Sequence, residues 1–179
     1  LIDDGLNRIL SMQNGDGGWG WWKGTDSRIY LTTHVLYALH AAQESGVDMD
    51  QNILRRAVNW LNRAVQQEIK EEKWSVNTQT AYAAYVLALH QQSGPWMEKL
   101  YDGRDKLNLY GKALLALSLH RLNKTDDAKT VLRNIMQYRR DNNETKLTWF
   151  DDPDNNFRGW WYWYNSDIET QAWILRAMT

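Results

Sequence analysis

The sequence predicts an all-α fold, an α/α toroid (part of an α6/α6-type barrel) of alternating inner and outer helices. Three observations predict it. Apolar residues recur at helical spacing along most of the 179 residues. The helices so marked are of two kinds, one with a single greasy face and one apolar nearly all round, and the kinds alternate. A loop rich in glycine and tryptophan occurs twice, each time leading into an apolar helix. Alternating runs of Val, Ile and Thr are missing, so strands are not expected.

Taken in order, residues 1–12 start the one-sided pattern with Leu6, Ile9 and Leu10. The first loop, residues 13–22, reads Gln-Asn-Gly-Asp-Gly-Gly-Trp-Gly-Trp-Trp. Residues 29–42 are apolar nearly all round, and such a helix is buried. Residues 50–69 are one-sided, with Ile53, Ala57, Trp60, Leu61, Ala64 and Val65 inward and Arg55, Arg56, Asn59 and Arg63 outward. Residues 80–90 are apolar again. After Gly94-Pro95, the short segment 96–101 stands where a third outer helix is due. Residues 109–120 return to the buried kind. Residues 125–138 are one-sided through Ala128, Val131, Leu132, Ile135 and Met136. The second loop, residues 155–164, precedes a last apolar helix at 168–178. A plain bundle would make every helix amphipathic, so two concentric layers fit better.

Punctuation agrees with these boundaries. Asp50, Thr125 and either Ser75 or Asn77 are expected N-caps, and Ser166 with Glu169 has the form of a capping box. Gly46 and Gly94 follow apolar helices where a C-terminal glycine is expected.

Composition narrows the function. The length suits one domain, residues 1–179, and both ends fall inside helical patterns, as in a domain excised from a longer multidomain chain. A net charge of −1 argues against a nucleic-acid partner. No stretch is apolar for the roughly 18 residues of a membrane span. With no cysteine, these residues hold no disulfide, thiolate metal site or cysteine nucleophile.

Four segments together resemble the bacterial alpha-2-macroglobulin family. They are residues 5–22, residues 30–39 (Tyr-Leu-Thr-Thr-His-Val-Leu-Tyr-Ala-Leu), residues 109–117 (Leu-Tyr-Gly-Lys-Ala-Leu-Leu-Ala-Leu) and residues 166–172 (Ser-Asp-Ile-Glu-Thr-Gln-Ala). The resemblance is to its helical thioester domain, related to that of complement proteins, and it runs through essentially the whole chain. Gln13, Gly17 and Trp19 also fit the Q-x-x-x-G-x-W repeat of squalene and hopene cyclases, which share the toroid. The alpha-2-macroglobulin resemblance implies a protease inhibitor that traps its attacker, in the periplasm or at the cell envelope. Its partners would be neighbouring domains of the same chain and a target protease. In that family a C-x-E-Q motif forms a thioester N-terminal to the stretch matched here, and these residues carry no such motif. The alternative is a toroidal enzyme, either a glycoside hydrolase or a terpene cyclase.

Candidate sites follow from the loops. Trp19, Trp21, Trp22, Trp74, Trp160, Trp161 and Trp163 are expected on one rim. Packing explains Trp19, Trp160 and Trp161, which would fold over the ends of buried helices. Trp21, Trp22 and Trp163 are the candidates for an exposed patch that docks a neighbouring domain. His40, His90 and His120 each fall near the end of an apolar helix, where a cation suits the helix dipole, and His34 is expected in the core. The acidic residues at 151–156 lack the spacing of a calcium loop and read as a solvated turn around Pro153. Asp26, Asp167 and Glu169 are candidates for paired carboxylates at the rim, against a simpler capping role. No catalytic residue, metal site or cofactor is expected.

Overall fold

The structure, a computed structural model, describes residues 2–152 and 167–179, with the side chains of residues 2 and 3 left out. It divides into two compact units, Leu1–Trp74 and Ser75–Thr179. The first holds α1 (Ile2–Ser11), α2 (Ile29–Glu44) and α3 (Gln51–Lys70). The second holds α4 (Thr78–Leu89), α5 (Pro95–Asp102), α6 (Leu109–Arg121), α7 (Thr125–Met136), a hairpin of β1 (Arg139–Asn142) and β2 (Leu147–Phe150), and α8 (Asp167–Met178). The chain is all-α apart from that hairpin and one short 3-10 turn, Arg104–Lys106, among the described residues.

The second unit is built around α4 and α6. Every residue from 80 to 89 is buried. In α6, residues 109–119 are buried except the half-exposed Leu117. Neither helix has a wet side, so each has to be enclosed by others. Helix α6 packs against α4, α7 and α8. From α7 only the stripe Ala128, Val131 and Ile135 is buried, at the three-and-four spacing of one face. Helix α5 buries Trp96, Met97 and Leu100. In the first unit, α2 packs on α3, whose buried stripe is Leu54, Ala57, Val58, Leu61 and Val65. The alternation of enclosed and one-sided helices is therefore present from α4 to α7. Helices α2 and α8, expected to be enclosed, bury one face only: Thr32, Thr33, Leu36 and Leu39 in α2, and Thr170 and Ile174 in α8, with Ile168 and Leu175 exposed.

Helix ends follow local chemistry. The Asp50 carboxylate accepts from the Asn52 N–H. Asn77 and Thr80 form a reciprocal box, each side chain accepting from the other's backbone N–H. The expected cap at Thr125 is displaced. Thr125 is the first helical residue and Lys124 precedes it with no side-chain bond to the turn. Gly46, at φ +86°, closes α2 in a Schellman turn, with Val47 N–H donating to Ala42 and Gly46 N–H to Gln43. Gly94 does not close α4; it precedes α5 in an extended conformation, ahead of Pro95. Gln91 takes the left-handed position instead, at φ 56°, and Glu72 and Asn123 do the same after α3 and α6.

The hairpin was not expected from the sequence. It pairs Arg139 with Phe150, Arg140 with Trp149, Asp141 with Thr148 and Asn142 with Leu147. An isolated two-stranded ribbon is marginal in water. Here it is tied down at its base. The Gln171 carboxamide on α8 donates to the Phe150 carbonyl at 2.8 Å and accepts from the Phe150 N–H at 3.0 Å, as a third strand would. Phe150 packs with Tyr138, Trp173 and the buried Leu109, Ala113, Ile135 and Ile174. Asp152 then accepts from the Leu109 N–H at 3.0 Å, so the chain leaving the hairpin engages the start of α6.

Leu115→Ala, at a site with no exposure, is expected to cost about 2–5 kcal/mol in urea unfolding. Gln91→Gly is expected to gain up to about 1 kcal/mol by relieving the left-handed strain. A loss below about 0.5 kcal/mol for Leu115→Ala would contradict the enclosure of α6.

Candidate functional site: the glycine–tryptophan loop

The loop between α1 and α2 is shaped from within by polar bonds. Asp16 is its hub. Its carboxylate accepts from the Gly18 N–H at 2.9 Å, the Ser27 hydroxyl at 2.8 Å and the Trp60 indole N–H of α3 at 2.9 Å. Partial burial would raise its pKa, but those three donors outweigh it and hold the carboxylate below its ordinary value. Asn14 donates to the Thr25 carbonyl and the Ser27 hydroxyl, and accepts from the Gly24 N–H. Arg56 donates to the carbonyls of Asn14 and Gly15, and Gln13 donates to the Ile53 carbonyl. Arg63 reaches the Asp16 carbonyl at 3.4 Å. The loop is thus seated along α3 by Arg56 and Arg63, which periodicity alone assigns to the outward side, together with Trp60, which it assigns inward.

The glycines are required by that seat. Gly17 has φ +102°, and a Cβ there would lie 2.6 Å from the Arg56 carbonyl oxygen. At Gly18 it would lie 2.8 Å from the Trp60 ring.

The tryptophans divide sharply. Trp19 is 2% exposed. Its backbone N–H donates to the Thr32 hydroxyl and its indole N–H to the Ile9 carbonyl, both at 2.9 Å, which joins α1 to α2. Trp19 is a packing residue and presents no docking surface. Trp21 and Trp22 are 65% and 75% exposed, although the Thr25 hydroxyl and the Trp22 backbone hold their turn together. The Trp21 ring lies 6.3 Å from Tyr30, and Tyr30 lies 4.7 Å from His34, so an aromatic row runs onto α2. Burial lowers the pKa of His34 and favours its neutral form. Trp74 is half-buried, and its indole N–H is buried with no hydrogen-bond partner among the described residues. Trp160, Trp161 and Trp163 lie outside the described residues, as do residues 153–156 of the acidic run and the Ser166 cap.

The other candidates have structural roles. His90 caps the end of α4, and His40 and His120 lie near the ends of α2 and α6. No group of three or more His, Cys, Asp or Glu suited to a metal ion occurs among the described residues. No described helix is long and apolar enough to cross a membrane. Asp26 belongs to the first unit, Asp167 and Glu169 to the second. Glu169 accepts from the Tyr110 hydroxyl at 3.0 Å, and burial together with that carboxylate pushes the Tyr110 pKa up. Asp151 lies 3.7 Å from Arg140.

The first unit thus carries a polar-braced aromatic loop, and the second carries enclosed and one-sided helices packed together. Residues 1–83 match the family model of the A-macroglobulin TED domain. Two curated alpha-2-macroglobulins and several solved structures are similar to the chain. It is 29% identical over 90 residues to the alpha-2-macroglobulin of Thermotoga maritima, covering 50% of this chain and 5% of that protein. It is 31% identical over 103 residues to that of Escherichia coli, covering 51% of this chain and 6% of that protein. Salmonella alpha-2-macroglobulin reacted with methylamine shares the fold over 99% of this chain and 11% of its own, at a TM-score of 0.71 and 22% identity. The native conformation of the Escherichia coli protein does so over 82% of this chain and 10% of its own, at a TM-score of 0.63 and 22% identity. The chain therefore spans about a twentieth of the curated relatives it matches.

The position of Asp16 sets a pH dependence. Its carboxylate is held below the ordinary value, so the stability it contributes is present above about pH 4 and lost as pH falls through its folded value. The urea midpoint of the chain is expected to fall between about pH 5 and 3, and the Asp16→Asn variant to lose part of that slope. A variant whose midpoint stays parallel to the parent's across this range would deny the carboxylate its role as hub.

Proposed function

We propose that residues 1–179 form a non-catalytic helical domain within a longer polypeptide, an alpha-2-macroglobulin-type protease trap of the periplasm or cell envelope. The family match over residues 1–83 is the observation that carries this reading. A second Escherichia coli structure is described as trypsin-activated, which supports a protease as the partner of the whole polypeptide. The relatives named above also favour this reading over a glycoside hydrolase or terpene cyclase. These residues contain no cysteine, so any thioester of the polypeptide is made elsewhere in it.

In this reading the domain is an interaction scaffold whose rim is covered by a neighbouring domain of the same chain. Trp21 and Trp22 are the contact, and Trp19 supports their loop from beneath. The energetics favour a cover. Burying the exposed parts of Trp21 and Trp22 is worth roughly 5–8 kcal/mol before ordering costs. The polar bracing of the loop lowers those costs, because the indoles are presented on a turn already fixed.

The test uses the whole polypeptide. After mixing with trypsin, cleavage of a small peptide substrate is expected to continue while cleavage of casein is suppressed. Equal cleavage of casein with and without the polypeptide would overturn the trap. The Trp21→Ser/Trp22→Ser double variant is expected to raise susceptibility to limited proteolysis before any trapping. A digestion pattern unchanged from the parent would remove Trp21 and Trp22 from the interdomain contact.

A further inference from the structure

Asn14-Gly15 is the one place in the sequence where glycine follows asparagine. It opens the loop that Asp16 holds together, and the Asn14 carboxamide is fully engaged there. Its Nδ2 donates to the Thr25 carbonyl at 2.7 Å and to the Ser27 hydroxyl at 3.0 Å, and its Oδ1 accepts from the Gly24 N–H at 3.2 Å. The Ser27 hydroxyl gives its own hydrogen to Asp16 at 2.8 Å. Arg56 donates to the Asn14 and Gly15 carbonyls at 2.8 and 3.1 Å. Gly15 is exposed, and a Cβ built on it would meet no heavy atom within 4 Å among the described residues.

We propose that Asn14 is a site of spontaneous deamidation, and that its conversion unlocks the glycine–tryptophan loop. Asparagine is a chemically labile residue, and its side chain is most open to backbone attack where the next residue has no Cβ. The Gly15 nitrogen attacks the Asn14 Cγ and gives up its proton. The Gly24 N–H already sits on the oxygen that becomes negative, as a donor of an oxyanion hole does. The Cγ–Nδ2 bond breaks, and ammonia leaves with the proton that Gly15 released. Water then opens the cyclic imide, at the side-chain carbonyl to give aspartate or at the main-chain carbonyl to give isoaspartate. Water is the only co-reactant, and the site is independent of the protease-trap reading. The two Nδ2 bonds oppose attack, so the folded loop converts more slowly than an unfolded one.

Conversion removes what held the loop. A carboxylate only accepts. The product carboxylate would face the Thr25 carbonyl and a Ser27 hydroxyl whose hydrogen already belongs to Asp16. It also brings a second negative charge to the hub. Isoaspartate lengthens the main chain by one methylene ahead of Gly15, which moves the carbonyls that Arg56 binds out of register.

The test ages the whole polypeptide at mildly alkaline pH, native and in urea. Tryptic digestion of the denatured samples releases residues 9–23, in which Asn14 is the one asparagine, for mass mapping. In the native sample Asn14 is expected to convert several-fold faster than the other described asparagines, and more slowly than in urea. Gly15→Ala, which the open space admits, is expected to keep Asn14 amidated through the same ageing. Amide exchange in residues 17–28 reads the consequence. It is expected to speed about tenfold in the converted fraction and in fresh Asn14→Asp, and to stay at the parent's rate in aged Gly15→Ala. Should Asn14→Asp not fold, aged parent against aged Gly15→Ala carries the same comparison. Conversion of Asn14 no faster than that of the other described asparagines would overturn the site, and equal conversion in Gly15→Ala would overturn the route through Gly15. Exchange unchanged after conversion would overturn the unlocking.

Discussion

A helix without a wet side cannot end a fold; it has to be enclosed. That constraint organises the second unit. Helices α4 and α6 are apolar or small around their whole circumference, and burying that surface is the main favourable term available to the unit. Helix α7 supplies one greasy stripe, α8 another, and the hairpin presses Phe150 into the seam between them. Several of the polar atoms that enclosure traps find a partner, whereas the Trp96 indole N–H and the Thr170 hydroxyl have none among the described residues. The Ser118 hydroxyl donates to the Leu114 carbonyl, the Lys112 ammonium to the Leu107 carbonyl, and the Tyr110 hydroxyl to Glu169.

The loop in the first unit works by the opposite economy. Its apolar content is a few indoles, and its shape is set by one carboxylate, two arginines and an asparagine acting on backbone groups. Trp19 is driven inward by the same arrangement that leaves Trp21 and Trp22 in water. A rigid turn holding two adjacent exposed indoles is a costly ornament for an isolated domain and a reasonable contact for one built into a larger molecule. The curated proteins the chain resembles are many times longer than it is.

The kinds of α3, α4, α6 and α7 and most boundaries were legible because amphipathicity is local: three and four residues separate the members of each stripe. The kinds of α2 and α8 were misread, because an apolar circumference in the sequence does not say how much of it neighbouring elements cover. Asp50, Asn77 and Gly46 were legible for the same reason, since a cap bonds within a few residues of itself. What was not legible depends on distant partners. Arg56 and Arg63 read as solvent-facing, yet they are turned toward loop carbonyls some 40 positions earlier. Asp16 gave no signal beyond its place among glycines, although Trp60 lies 44 positions away. The ribbon was hidden because its strands are four residues each and mostly exposed, so no long alternation marks them. Asn142, whose side chain accepts from the N–H groups of Glu144 and Thr145, was the available turn signal. At Gly94 the rule for C-terminal glycine misleads, because Gln91 had already taken the left-handed turn.

Native-state hydrogen exchange tests the enclosure most directly, since it reads the opening free energy helix by helix. Backbone amides in the middle of α4 and α6 should exchange last, at the rate of global unfolding of their unit, with α7 and the hairpin opening earlier. If the centre of α7 outlasted that of α6, the jacket would be sturdier than what it surrounds, and the layered account of this domain would be wrong.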